Sequence, residues 1–257
     1  MTLEAGMDLR IVNPDPKYST ATLIPPTTLG YVHLAAEVRP PPRPGPVIAT
    51  PRQKAELIGG LKVLARQLEQ VAAVEKVTVY EATVMAPPSG YVRQHKDQVR
   101  PARFDVVVLV ETTAPETARD VQASPAYQAL HDLLRGQARR LHVIAARNLK
   151  RVGDVDKTRP GTFLFNYFVG DDPQVVVALW DWLAGWYQTE TGMDNSTLLA
   201  PLEDQPSDYV VINHARWEGN LLGFAARQFT KKSFRAYMMA NLDAHNVGAM
   251  PILYRLS

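Results

Sequence analysis

The feature that most constrains this chain is a repeat. The apolar run Phe104-Asp105-Val106-Val107-Val108-Leu109-Val110-Glu111 has a second version in Asp208-Tyr209-Val210-Val211-Ile212-Asn213-His214-Ala215-Arg216-Trp217, offset by about 105 residues from Phe104 to Tyr209. That offset exceeds the roughly 20 to 50 residues of solenoid repeats and points to duplication of a whole domain. At 257 residues, 46% of them hydrophobic, the chain is long enough for two coupled cores of roughly 100 residues each.

The elements around the two runs follow one order twice. In the first copy, Gly30 to Val38 reads as a strand, and Thr50-Pro51-Arg52-Gln53 as a capping box opening a helix with Leu57, Leu61, Leu64, Ala65 and Leu68 at helical spacing, to about Val71. Val74 to Met85 alternates as a strand, Pro87 to Pro101 is a polar excursion, and Phe104 to Glu111 is a strand buried on both faces. A broken helix restarts at Ser124-Pro125, and Leu141 to Leu149 closes the unit. In the second copy the strands are Gly161 to Val169, Ser196 to Leu202, Asp208 to Trp217 and Ala249 to Leu256. Its helices are one capped by Asp172-Pro173 and a broken one, from Asn220 through Gln228 and again from Lys231 to Leu242. Each copy is strand, helix, strand, strand, helix, strand, which is the ferredoxin-like order. The prolines of Pro40 to Pro46 lack donors and mark a polyproline-type connection.

The expected architecture is therefore α+β: two fused ferredoxin-like βαββαβ domains forming an intramolecular pseudo-dimeric α/β barrel. Its parts are an N-terminal arm over 1–29, a first domain over 30–152, a linker over 153–160 and a second domain over 161–257.

Charge and composition exclude several function classes. Twenty-eight basic residues against 26 acidic give no broad electrostatic footprint for nucleic acid or an anionic membrane, so neither partner is expected. The absence of cysteine removes disulfides, thiolate catalysis and Cys-ligated metal, and suits a reducing cytoplasm. No apolar run has signal-peptide or membrane-spanning length. There is no phosphate-binding loop, nucleophile elbow, dinucleotide fingerprint or paired-histidine metal motif, so no metal is expected.

A strand ending in Trp217, a broken helix whose second half begins at Ser or Thr and carries an aromatic, and the segment Ser124-Pro125-Ala126-Tyr127-Gln128-Ala129-Leu130 together resemble the dimeric α/β-barrel superfamily. The closest likeness is to tandem antibiotic-biosynthesis-monooxygenase-like domains, over about Gly30 to Leu256. That resemblance implies a cleft between each sheet and its helices for hydrophobic, often aromatic, small molecules. It also implies an activity drawn from cofactor-free oxygenases, haem-degrading enzymes or isomerases. The haem-degrading branch uses an Asn on the first strand, a Trp at the end of the third and a His in the following helix. Here Asn166 and Trp217 match, while the helix reads Ser233-Phe234-Arg235-Ala236-Tyr237, with its nearest histidine at His245. Gly153-Asp154-Val155-Asp156 resembles part of a dye-decolourising-peroxidase motif, but with Lys157 in place of the second glycine it reads better as a charged interdomain turn.

The candidate set is His214 as base, Asn166 as polar anchor, and Trp217 and Tyr167 as substrate-positioning aromatics. Alternation along a strand puts Asn166 and Tyr167 on opposite faces, and likewise His214 and Trp217, so the four cannot line one cleft. His214 also reads as a hydrogen-bonded core histidine, and Trp180, Trp182, Trp186 and Tyr187 as core packing or as a ligand-binding wall. The expected function is an oxygenase-like enzyme acting on a hydrophobic aromatic small molecule without a tightly bound cofactor. The alternatives are a ligand-binding or structural pseudo-dimer without enzymatic activity and, third, a haem-binding protein. A homo-oligomer is also among the expectations.

Overall fold

Two long strands decide how the sheet closes. The computed structural model describes residues 9–47, 50–203, 205–218 and 231–257. Within it the elements run β1 (Gly30–Glu37), β2 (Gly45–Pro46), α1 (Arg52–Leu68), β3 (Val74–Met85), α2 (Gly90–Gln94), β4 (Val106–Thr112), α3 (Ala118–Ala123), α4 (Pro125–Gln137) and β5 (Arg140–Gly153). There follow β6 (Thr162–Gly170), α5 (Pro173–Thr191), β7 (Ser196–Pro201), β8 (Val211–Trp217), a π-helical segment Phe234–Met239, α6 (Ala240–Ala244) and β9 (Val247–Leu256). The strand order is β2-β3-β4-β1-β5-β7-β8-β6-β9, with β3 also paired to β9.

β5 pairs with β1 through Arg140–Arg147 and with β7 through Ala146–Gly153. β3 pairs with β4 through Val74–Glu81 and, across a register shift between Ala82 and Val84, with β9 through Tyr80–Met85. Each long strand thus belongs to two neighbours in turn and forms one of two seams. Eight antiparallel strands close into a ring that leaves no free edge. The two-residue β2 adds to β3, with Pro46 at its outer edge, where a missing donor costs no ladder bond. The polyproline run thus contributes a short edge pairing after all.

Side-chain alternation divides the sheet into two faces. Inside the ring lie His33, Tyr80, Phe104, His142, Phe163, Phe165, Tyr167, Tyr209, His214 and Tyr254, so the ring is a packed aromatic core. Outside it, Val32, Leu34, Val106, Val108 and Val110 pack under α1 and α4 through Leu57, Leu61, Leu68, Leu130 and Leu134. That layer also buries Lys54, whose ammonium lies 3.1 Å from Asp105 and 3.5 Å from Glu81. Asp105 in turn accepts the Val38 and Arg39 amides at 2.7 and 3.0 Å. The opposite outer layer packs α5 and the π-helical segment on Leu164, Phe168, Val211, Ala215, Ala249 and Leu253.

Local signals account for most element ends. Asp172 caps α5 by accepting from the Gln174 amide at 2.8 Å, Pro173 fills its first turn, and Gly192 at φ 68° ends it in the left-handed region. Ser124 caps α4 by accepting from Tyr127 at 3.3 Å. The expected capping box at Thr50 does not form: the Thr50 hydroxyl bonds the Glu81 carboxylate, and α1 starts at Arg52 without a side-chain cap. The excursion after β3 contains the unforeseen turn of helix α2. The Lys231–Leu242 stretch is π-helical before it is α-helical, and the Asn220–Gln228 half of that broken helix lies outside the described residues.

From residue 9 the arm is a strap on the second half. The Val12 amide donates to Asn241 Oδ1 at 2.8 Å, Tyr18 packs on Tyr237 at 4.7 Å between ring centres, and the Ala21 amide donates to the Asp181 carbonyl at 2.8 Å. Gly185 of α5 makes this approach possible, since a Cβ there would sit 1.9 Å from the Ser19 carbonyl oxygen.

Candidate functional site

β6 and β8 pair so that Asn166 lies opposite Asn213 and Thr162 opposite Trp217. On the outer face of this pair, Leu164, Asn166, Phe168, Asn213 and Trp217 form the floor of a cavity of about 300 Å³ beneath α5 and the π-helical segment. α5 supplies Trp180, Leu183, Ala184 and Tyr187, and the π-helical segment supplies Phe234, Arg235, Met238 and Met239. π-helical turns recur at functional sites because the wider turn re-aims side chains.

One wall comes from the first half of the chain. Ala86, Pro87, Pro88, Ser89 and Arg93 reach the cavity because the excursion after β3 docks on β9. There the Ser89 amide donates to the Ala249 carbonyl at 3.1 Å, and Ser89 Oγ accepts the Ala249 amide at 3.0 Å. Tyr91 of α2 adds a hydroxyl bond to Asp171 at 2.7 Å.

The polar groups of the floor are oriented. Asn213 Oδ1 accepts from Trp180 Nε1 at 3.1 Å and from Ser196 Oγ at 2.6 Å, so its Nδ2 is the group left to offer a ligand. Trp217 Nε1 donates to Thr191 Oγ1 at 3.2 Å. The Asn166 amide oxygen is buried and has no hydrogen-bond partner among the described residues. The charged residues of the described lining are Arg93 and Arg235, both exposed, and no acidic residue is among them. Burial holds the Tyr187 phenol above its ordinary value, so it is neutral.

The four candidate side chains separate by strand alternation. Asn166 and Trp217 line the cavity, whereas His214 and Tyr167 point into the ring and do not reach it. His214 is fully packed there. Its Nδ1 lies 3.0 Å from the Leu164 carbonyl, which can only accept, so Nδ1 carries the proton and Nε2 accepts from Tyr80 at 3.2 Å. The ring stacks on Phe165 at 4.2 Å, and burial depresses its pKa to about 3. Tyr167 lies 3.5 Å from His33 Nε2.

Trp180 and Tyr187, read from the sequence as core packing or a ligand-binding wall, line the cavity, and Asn213 is a floor residue outside the candidate set. The signal for Asn213 was its shared parity with Trp217 along β8. Among the described residues no cluster of three or more His, Asp or Glu side chains could hold a metal ion. The described lining also contains no histidine, the helical residue of the haem-degrading pattern. No described helix is long and apolar enough to cross a membrane.

No known family profile matches the sequence, and no curated protein is similar to it. Solved structures do resemble it. An anthrone oxidase-like protein superposes with a TM-score of 0.55 at 12% identity, over 89% of this chain and 91% of its own. A candidate monooxygenase from Fusobacterium nucleatum superposes with a TM-score of 0.51 at 7% identity, over 89% and 91%. The fold is the dimeric α/β barrel. At these identities the likeness concerns the barrel and its layers, and the cavity is read from its own residues.

Proposed function

We propose that the chain is two fused ferredoxin-like units, 30–152 and 161–257, joined by a linker over 153–160 and preceded by an arm over 1–29. In support, β3-β4-β1-β5 and β7-β8-β6-β9 have the same order of second, third, first and fourth strand, and the two seams, β5–β7 and β3–β9, each join a fourth strand to the other unit's second.

The cavity of the second unit is then the active one: an oxygenase-like site for a hydrophobic aromatic small molecule, working without a tightly bound cofactor. The observation that carries this reading is the floor itself, two cross-strand asparagines flanked by Trp180, Tyr187 and Trp217 in a mainly apolar cavity. In this reading a flat ring lies against the aromatic side chains of the lining. Asn213 Nδ2 donates to an oxygen of the substrate, and the Asn166 amide holds a second polar group.

Among the described lining residues there is no histidine or carboxylate, so the proton leaves to solvent from the substrate's own hydroxyl or, in a keto-methylene compound, from its methylene carbon, and the amides and guanidinium groups stabilise the electron-rich anion. Dissolved dioxygen is the oxidant. For a tricyclic keto-methylene compound such as anthrone, C14H10O and O2 give the quinone C14H8O2 and water. The methylene carbon gains one oxygen atom, and the other leaves as water with the two hydrogens. His214 takes no part at this cavity and Tyr167 belongs to the ring core.

Oxygen uptake and quinone absorbance test the reading. A panel of hydroxyaromatics is used together with anthrone, for which one structural neighbour is named, with a chelator present and protein-free controls. Uptake that falls in Asn213→Ala and Trp217→Ala supports the assignment. Uptake no faster than the controls across the panel sinks it in favour of a ligand-binding protein without enzymatic activity. A cytoplasmic location, suggested by the lack of cysteine, and self-association belong to the same proposal.

A further inference from the structure

The charge of the cavity is one-sided. Arg93 on α2 and Arg235 on the π-helical segment line it from opposite units, both are exposed, and neither has a carboxylate partner among the described residues. Arg93 uses one Nη1 hydrogen on the Pro88 carbonyl at 2.8 Å and keeps its other donors. On the floor, Asn213 has committed its oxygen to Trp180 and Ser196 and presents a donor. Among the described lining residues there is no acidic side chain to compete for these groups.

A mouth with two unpaired guanidinium groups above an apolar, aromatic interior is complementary to one kind of molecule. We infer that the cavity selects an aromatic anion, with a carboxylate or comparably compact anionic group held at the mouth by Arg93 and Arg235 and the ring system buried against Trp180 and Trp217. The inference rests on the reading of this cavity as a ligand site and adds the charge class of its ligand. A neutral aromatic of the same shape makes the interior contacts and leaves both guanidinium groups unpaired. An aromatic cation is repelled. Because both arginines are solvent-exposed, the attraction is screened by salt, whereas the interior contacts are not.

The test is a calorimetric titration of the intact chain with naphthalene-2-carboxylate and with naphthalene-2-carboxamide, a neutral compound of nearly the same shape. The carboxylate is expected to bind about tenfold more tightly at low salt, the factor one charge-assisted hydrogen bond supplies. That preference is expected to fall in Arg93→Gln and in Arg235→Gln, to vanish in the double variant, and to shrink with added sodium chloride, while carboxamide affinity stays constant throughout. Equal affinities for the two compounds, or a preference that survives in the double variant, overturn the anion inference and leave the cavity reading standing. Failure of both compounds to bind the wild type overturns both.

Discussion

His214 Nε2 accepts a hydrogen bond from the Tyr80 hydroxyl at 3.2 Å across the ring interior, joining β8 to β3 over a separation of 134 positions. His33 and His142 share the same aromatic interior, and burial depresses all three imidazoles, His142 to about 4 and His214 to about 3. In the folded protein they stay neutral where the unfolded chain would take up protons. Stability is therefore complete above the ordinary histidine value of about 6.5 and is lost as pH falls below it. Three such groups give roughly 4 kcal/mol per pH unit between about 6 and about 5. Unfolding free energies from urea titrations should fall slowly from pH 7 to pH 6 and at that rate from pH 6 to pH 5, and His214→Phe should remove about a third of the slope.

Lys54 is the second buried commitment. Replacing it with alanine leaves Asp105 and Glu81 without their shared cation under α1 and should cost about 3–5 kcal/mol. Arg52→Ala, which breaks an exposed pair with Glu56 on the same helix, should leave the unfolding midpoint unchanged.

The contact of Gly185 with the arm gives a sharper test of packing. Gly185→Ala puts a methyl group into the Ser19 carbonyl and should lift the strap, costing about 1–3 kcal/mol. Limited proteolysis should then cut between Lys17 and Ile24 at enzyme concentrations that leave the wild type intact.

Ser196→Ala removes one of the two donors that hold the Asn213 amide. The fold should lose about 1 kcal/mol, and affinity for a ligand whose oxygen meets Nδ2 should drop about fivefold as the amide gains freedom to turn. Calorimetric titration of the variant beside the wild type checks both the direction and the size.

Local signals made most of the elements legible in the sequence. Asp172-Pro173 and Ser124-Pro125 announce the starts of α5 and α4, and alternation puts Asn166 and Tyr167 on opposite faces, and likewise His214 and Trp217, while the pairing of β6 with β8 is what brings Asn166 and Trp217 to one face. The cavity was less legible, for a physical reason. Its walls come from elements that are distant in the chain, and the approach of Pro87–Arg93 depends on the pairing of β3 with β9, which no local pattern encodes. Trp180 and Tyr187 illustrate the same limit. On a helix apolar nearly all round, periodicity cannot tell a residue that packs from one that borders a void. Thr50 misled because a hydroxyl before a helix serves equally well as a cap or as a partner for a buried carboxylate, and Glu81 is supplied by a different strand.

The seam between β3 and β9 also governs the order of events during synthesis. Until β9 has been made, β6 and the second half of β3 face water as unpaired strand edges, each able to template contact with another nascent chain. The ring behaves like a bracelet whose clasp is fastened last. Ribosomes that stall before Val247 would release an open, adhesive ribbon, and a helper that shields strand edges would matter most in the interval just before the clasp shuts.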